Sequence, residues 1–159
     1  MKTNYLFPHK FKTISGILFI VATLVMFYLL LIDDSEIINL DTTVFAVMND
    51  DIFGKMKYFE FIPNDIFDEL LISVFVISGL VFAFSKEKIE DEMTAKIRLE
   101  SLVWSTYVNY LLFFLCVWFV YGSIIYTVMM IALFTHLLFF IIRFNWKLYT
   151  FKHSADHEE

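Results

Sequence analysis

The chain is poor in the residues that cross-link a fold or turn its corners. Among 159 residues there are one cysteine, two prolines and four glycines. A single Cys excludes an internal disulfide framework and a multi-cysteine zinc site. So little Gly and Pro excludes collagen-like repeats and argues against a disordered or loop-rich chain. Charge is also scarce: 19% of residues are charged, against about 25% in a soluble domain. A net charge of -6 gives no basic face for nucleic acid. What remains is apolar, with 59% hydrophobic residues and 20 Phe and a mean hydropathy of +0.69. The length suits one domain, and residues 1–159 are read as a single membrane domain.

A helix rises about 1.5 Å per residue, so about 20 apolar residues cross a hydrocarbon core about 30 Å thick. The run 13–32 is uncharged, and 101–142 is uncharged throughout, with Tyr121, Gly122 and Ser123 at its middle. Gly permits a sharp reversal there, which divides the run into 101–121 and 123–142. The stretch from Leu70 to Phe84 is short, and reaches span length only from Ile66, with Asp68 and Glu69 in its first turn. Acids complement the dipole at that end, and Asn64 or Asp65 would cap it. The expectation is an all-α integral membrane protein of four transmembrane helices, about 13–32, 66–84, 101–121 and 123–142. Three crossings follow if the second run falls short. The first run is too long for a signal-peptide core, and no small-x-small site precedes Asp33, so it is read as retained.

Basic residues set the orientation. Lys2, Lys10 and Lys12, then Lys86, Lys88, Lys96 and Arg98, then Arg143, Lys147 and Lys152 fall on one side of a four-span chain. Only Lys55 and Lys57 fall on the other. Both termini are therefore expected in the cytoplasm, with 33–65 as the outer loop, 85–100 as a cytoplasmic segment and 143–159 as a tail. Trp104, Trp118, Tyr121, Trp146 and Tyr149 lie near span ends, as an aromatic belt would.

In the outer loop, Leu40, Val44, Val47 and Met48 share one helical face, so a short amphipathic helical loop is expected. It would lie on the membrane or cap the bundle; alternatively, its apolar residues would form a docking surface. In the cytoplasmic segment no Gly or Pro interrupts 85–100, and the third helix is expected to start near Glu90. Glu90, Asp91 and Glu92 are consecutive and point in different directions on a helix, so no metal site is expected from them.

Polar groups inside a span are the default functional candidates. With the turn at Gly122 and Ser123, Asn109 and His136 fall opposite each other, and Thr106 and Thr135 lie near the same depth. The plainer role for this cluster is to pin the register of the hairpin; the alternative is proton relay or ligand binding. Cys116 falls mid-span near Met129 and Met130, where it fills apolar space. Gly79 and Ala83 form a small-xxx-small pair. No nucleophile elbow, HExxH, phosphate loop or CxxC is present, so neither an enzyme nor a cofactor is expected.

Asn64-Asp-Ile-Phe-Asp-Glu-Leu-Leu71, Phe84-Ser-Lys-Glu-Lys-Ile-Glu-Asp-Glu92 and Ile97-Arg-Leu-Glu-Ser-Leu102 resemble a group of small multi-pass membrane proteins of Bacteroidota-type bacteria. The likeness continues through Val108-Asn-Tyr110, Tyr121-Gly122, Phe134-Thr135 and Ile142-Arg-Phe-Asn145. It spans about residues 64–149, and before that only hydropathy agrees. The group carries no established activity, so the resemblance implies a bacterial inner membrane and no chemistry.

The functional expectation is a non-enzymatic accessory or regulatory inner-membrane protein. It would act through helix packing and the cytoplasmic segment, with Lys86, Lys88, Glu90, Asp91 and Arg98 meeting a membrane-protein partner. The alternative is a small homo-oligomeric transporter, channel or ligand sensor centred on Asn109 and His136.

Overall fold

The computed structural model describes residues 5–31, 40–49, 57–122 and 124–156. Ser123, His157 and the outer-loop residues 33–39 and 50–56 lie outside them. The order is α1 (Lys10–Leu31), β1 (Asp41–Asn49), β2 (Lys57–Asp65), α2 (Phe67–Ala83), α3 (Glu92–Phe119) and α4 (Ile124–Asp156). Three helices contain stretches long and apolar enough to cross a membrane: Lys10–Leu29, Glu92–Phe119 and Ile124–Ser154. With 17 residues, α2 is about 25 Å long and falls short of a full hydrocarbon core. Met1–Phe19 with Val76–Glu159 forms one compact unit, and Ile20–Phe75 a second.

The second unit corrects one expectation. The outer loop is not helical where it is described: β1 and β2 pair antiparallel, with Phe45 opposite Phe61 and Val44 opposite Ile62. The residues explain the choice. Thr42, Thr43, Val44, Phe45 and Val47 in β1 and Tyr58, Phe59, Phe61 and Ile62 in β2 are the β-branched and aromatic types that favour a pleated surface. Along the strand exposure alternates over part of its length, with Val44 and Ala46 half-buried and Phe45 and Val47 exposed. Phe45 meets Phe61 across the pair at 5.2 Å and Phe59 at 6.2 Å between ring centroids, and such pairs stabilise a sheet locally. At the open end, the Ile66 N–H donates to the Leu40 carbonyl at 3.3 Å. Asp65 Oδ1 accepts from the Leu40 and Phe67 N–H groups, both at 3.0 Å. One of the two expected caps, Asp65, thus serves the start of α2 from the last residue of β2.

In the first unit, α3 starts at an Asp91 cap whose side chain accepts from the Thr94 N–H at 2.7 Å. It ends at Val120, and Gly122, at φ 84°, turns the chain into α4. That left-handed backbone is one Gly adopts readily. The expected tail 143–159 is instead helical through Asp156, so α4 has 33 residues. The apolar run stops at Arg143 but nothing there stops a helix: no Gly or Pro follows. Phe140, Ile141, Phe144 and Leu148 form one buried face across the supposed boundary. Gly79 of α2 allows a close helix approach. A Cβ there would stand 2.5 Å from Leu137 of α4 and 2.8 Å from Phe19 of α1, the use small residues have between membrane helices.

Candidate functional site

The first unit buries its charges at one end. There the start of α1, the end of α2, the start of α3 and the end of α4 meet. The Phe7 N–H donates to the Phe84 carbonyl at 3.0 Å, and the Lys86 N–H returns to the Phe7 carbonyl at 2.9 Å. These two backbone bonds tie the segment before α1 to the segment after α2. Ser85, fully buried between them, donates its hydroxyl to the Val81 carbonyl.

Arg98 on α3 reaches back to Glu90 in a two-pronged pair. Its Nη1 donates to Oε1 at 2.6 Å and its Nη2 to Oε2 at 3.1 Å. The guanidinium also lies 5.0 Å from the Phe144 ring centroid. The Glu87 N–H donates to Glu90 Oε2 at 2.9 Å, while the Glu87 carboxylate pairs with Lys12 of α1. Lys152 of α4 stands 3.9 Å from the other Glu87 oxygen. Side-chain exposures are 14% and 6% for Lys12 and Glu87, and 6% and 17% for Arg98 and Glu90. Charges this dehydrated persist only when paired and hydrogen-bonded. The planar Arg fork supplies the geometry a carboxylate needs. Burial alone would raise the Glu90 carboxyl. The bonds from Arg98 and from the Glu87 N–H, with the charges of Arg98 and Lys86, outweigh it and hold Glu90 below its ordinary value. Asp91 is also held low, by the Thr94 N–H that it caps.

This clasp accounts for three of the five residues expected to meet a partner. Glu90 and Arg98 bind each other and Asp91 caps α3. Lys88 is exposed and Lys86, whose charge acts on Glu90, is half-buried; among the described residues neither forms an ion pair. Sequence reading missed Glu87 and Lys12 as a pair, because 75 residues separate them and only helix packing brings them together. Each counts in the sequence merely as one more charge near a span.

Inside the hairpin of α3 and α4, the cross-helix bond runs from Thr135 Oγ1 to Asn109 Oδ1 at 2.9 Å. The Asn109–Thr135 half of the expected cluster is thus joined. Thr106 donates locally to the Leu102 carbonyl at 2.9 Å. His136, one position past Thr135, is half-buried and takes no hydrogen bond within the described residues. A groove of about 250 Å³ runs beside Asn109 and Thr135 between the two helices. Cys116 is a free, half-buried thiol, and the His153 ring stacks on Tyr149 with centroids 6.1 Å apart.

Chemically, the clasp can hold helices together and the hairpin bond can set a register. Among the described residues, no group of three His, Cys, Asp or Glu side chains is placed to hold a metal ion. No protein-family model, curated protein or solved structure matches this chain, and the functional reading rests on its own residues.

Proposed function

We propose that this protein is a non-enzymatic accessory or regulatory subunit of a bacterial inner membrane, with both termini in the cytoplasm and four crossings. The observation that carries the reading is how little the apolar spans of α3 and α4 are covered: 6% and 11% of them is buried within the chain. Tyr107, Tyr110, Leu111, Phe114 and Trp118 of α3 and Tyr126 and Leu133 of α4 are exposed. In a bilayer these side chains meet lipid or the helices of a partner, and helix packing is the means of association open to them. Four crossings are supported by the meeting of α1's start and α2's end through Phe7, Phe84 and Lys86. That arrangement brings the chain back to its starting side before α3 begins. The excess of Lys and Arg on that side supports its assignment to the cytoplasm.

Lys86 and Lys88 remain as the cations of the cytoplasmic segment that a partner would meet. The experiment is extraction of the tagged protein from native membranes in mild detergent, with mass determination and identification of co-purifying chains. A stoichiometric partner lost on combined Lys86→Gln and Lys88→Gln substitution, with insertion unchanged, supports the reading. A chain that is monomeric and partnerless refutes it. A second reading, an oligomeric transporter, channel or ligand sensor centred on Asn109 and His136, is favoured by the unbonded His136 imidazole beside that bond. It requires a homo-oligomer whose transport or binding signal His136→Ala abolishes without loss of folding.

A further inference from the structure

One face of α4 changes character where its apolar run ends. Leu138, Phe139 and Ile142, with Val108 and Leu112 of α3, line the apolar groove of about 250 Å³. One residue further along, Arg143, Trp146, Lys147 and Thr150 line a second cleft, of about 330 Å³. From Leu138, these positions follow at i+1, i+4, i+5, i+8, i+9 and i+12, so the cleft follows the groove along α4, turned about 80° around the helix. The Arg143 guanidinium lies 5.0 Å from the Trp104 ring centroid, and its buried Nε has no acceptor.

The two cations of this cleft differ from those of the clasp. Lys12, Arg98 and Lys152 each have a carboxylate within ion-pair distance; among the described residues Arg143 and Lys147 have none. They are separated by about 6 Å of helix rise, close to the depth of one headgroup layer. An uncompensated positive pair thus sits at headgroup depth, next along α4 from an apolar groove at acyl-chain depth. That order of apolar and charged surface is the order within a phospholipid, and paired cations at this depth suit an anionic headgroup.

We propose that this face binds an anionic phospholipid, with an acyl chain in the groove between α3 and α4 and its phosphate on Arg143 and Lys147. Arg143 offers its fork and Lys147 a point charge, the two ways proteins hold phosphate. Trp104 fixes the guanidinium plane, and Trp146 lines the cleft at the level where aromatic rings favour the interface. The inference rests on α3 and α4 crossing the membrane and needs no protein partner.

The test uses the full chain, first checked for resistance to alkaline carbonate extraction. It is then offered equimolar phosphatidylglycerol and phosphatidylethanolamine, and the retained lipid is read by native mass spectrometry. Wild type is expected to prefer phosphatidylglycerol roughly 10- to 30-fold. The exposed Lys147→Gln should lower that preference several-fold, and adding Arg143→Gln should bring it to about one. Leu138→Trp, which fills the groove, should reduce phosphatidylglycerol retention with both cations in place. Lys147→Arg should keep the preference. Equal retention by a carbonate-resistant wild type overturns the lipid site alone, as does an equal loss in the charge-matched Lys10→Gln/Lys96→Gln control. Loss of the preference in inorganic phosphate at constant ionic strength assigns the cations to free phosphate and also overturns it. Release of the chain by carbonate overturns the membrane-spanning reading beneath it.

Discussion

The two ends of the α3–α4 hairpin solve opposite problems. Near Arg98 and Phe144 the helices are covered by the start of α1 and the end of α2, and charges are buried in pairs. Beyond Asn109, towards Gly122, the same helices expose large apolar side chains to their surroundings, and Thr135–Asn109 is the side-chain hydrogen bond joining them. On the membrane-spanning reading proposed above, a bilayer accounts for the difference. Lipid covers apolar side chains as well as protein does, so the upper hairpin needs few contacts. At the headgroup level no apolar solvent is available and the chain must supply its own partners for Lys12, Glu87, Glu90 and Arg98. Tight, paired packing therefore collects where the membrane stops.

Breaking the clasp should have the largest effect. Arg98→Ala leaves Glu90 in a largely dehydrated site without its partner, and should destabilise the protein by about 3 kcal/mol, read as unfolding in detergent micelles. Acid tests the same pair. Glu90 is held below its ordinary value of 4.5, so its contribution is complete above that value and is lost as the pH falls through the depressed one. Wild type should lose stability below about pH 4.5, and Arg98→Ala should lose less of it, because little of the pair remains to titrate. A variant with an unchanged acid profile would show that the pair is not what ties this end.

Next in size is the close approach at Gly79. A larger side chain there meets Leu137 and Phe19, and Gly79→Leu should cost about 1–3 kcal/mol through overpacking, seen as a lower melting temperature. Because the contact joins α1, α2 and α4, a neutral result would mean that the helices part easily even near the clasp.

The upper hairpin should respond weakly. Thr135→Val removes the bond to Asn109 and should cost about 0.6–1.7 kcal/mol, with the two helices still paired. Smallest of all, His136→Ala should stay within about 0.5 kcal/mol in the same melt, since His136 has no hydrogen bond among the described residues. A larger loss at His136 than at Thr135 would reverse the assignment of the register pin.

Much of the architecture was legible because it depends on solvent. Helix-length apolar runs, the break at Gly122 and the start of α3 near Glu90 follow from hydropathy, Gly chemistry and capping, all local properties. Two elements were not legible for particular reasons. The Leu40–Met48 segment fits both a helical face and an alternating strand, and its pairing with Lys57–Asp65 depends on residues distant in sequence. The end of α4 was misplaced because hydropathy reports where apolar surface ends, whereas Phe144 and Leu148 continue the buried face beyond it. The depth argument set Asn109 opposite His136, whereas the bond to Asn109 comes from Thr135, one residue earlier. Glu90, Asp91 and Arg98 were legible as charges, but their bonds within the chain were not.

The sequence by itself determined that this chain carries membrane-length apolar helices, which end bears its cations and where the hairpin turns, because those depend on composition along one stretch of chain. Tertiary structure decided which charges are consumed and which are free. Glu87 meets Lys12 and Glu90 meets Arg98 only when four chain segments converge. Among the described residues Arg143 and Lys147 have no carboxylate in reach, because they lie off the buried face of α4 that carries Phe144 and Leu148, whereas Lys152, further along, reaches Glu87. Pairing of charges across a fold is non-local, and no local pattern of residues encodes it.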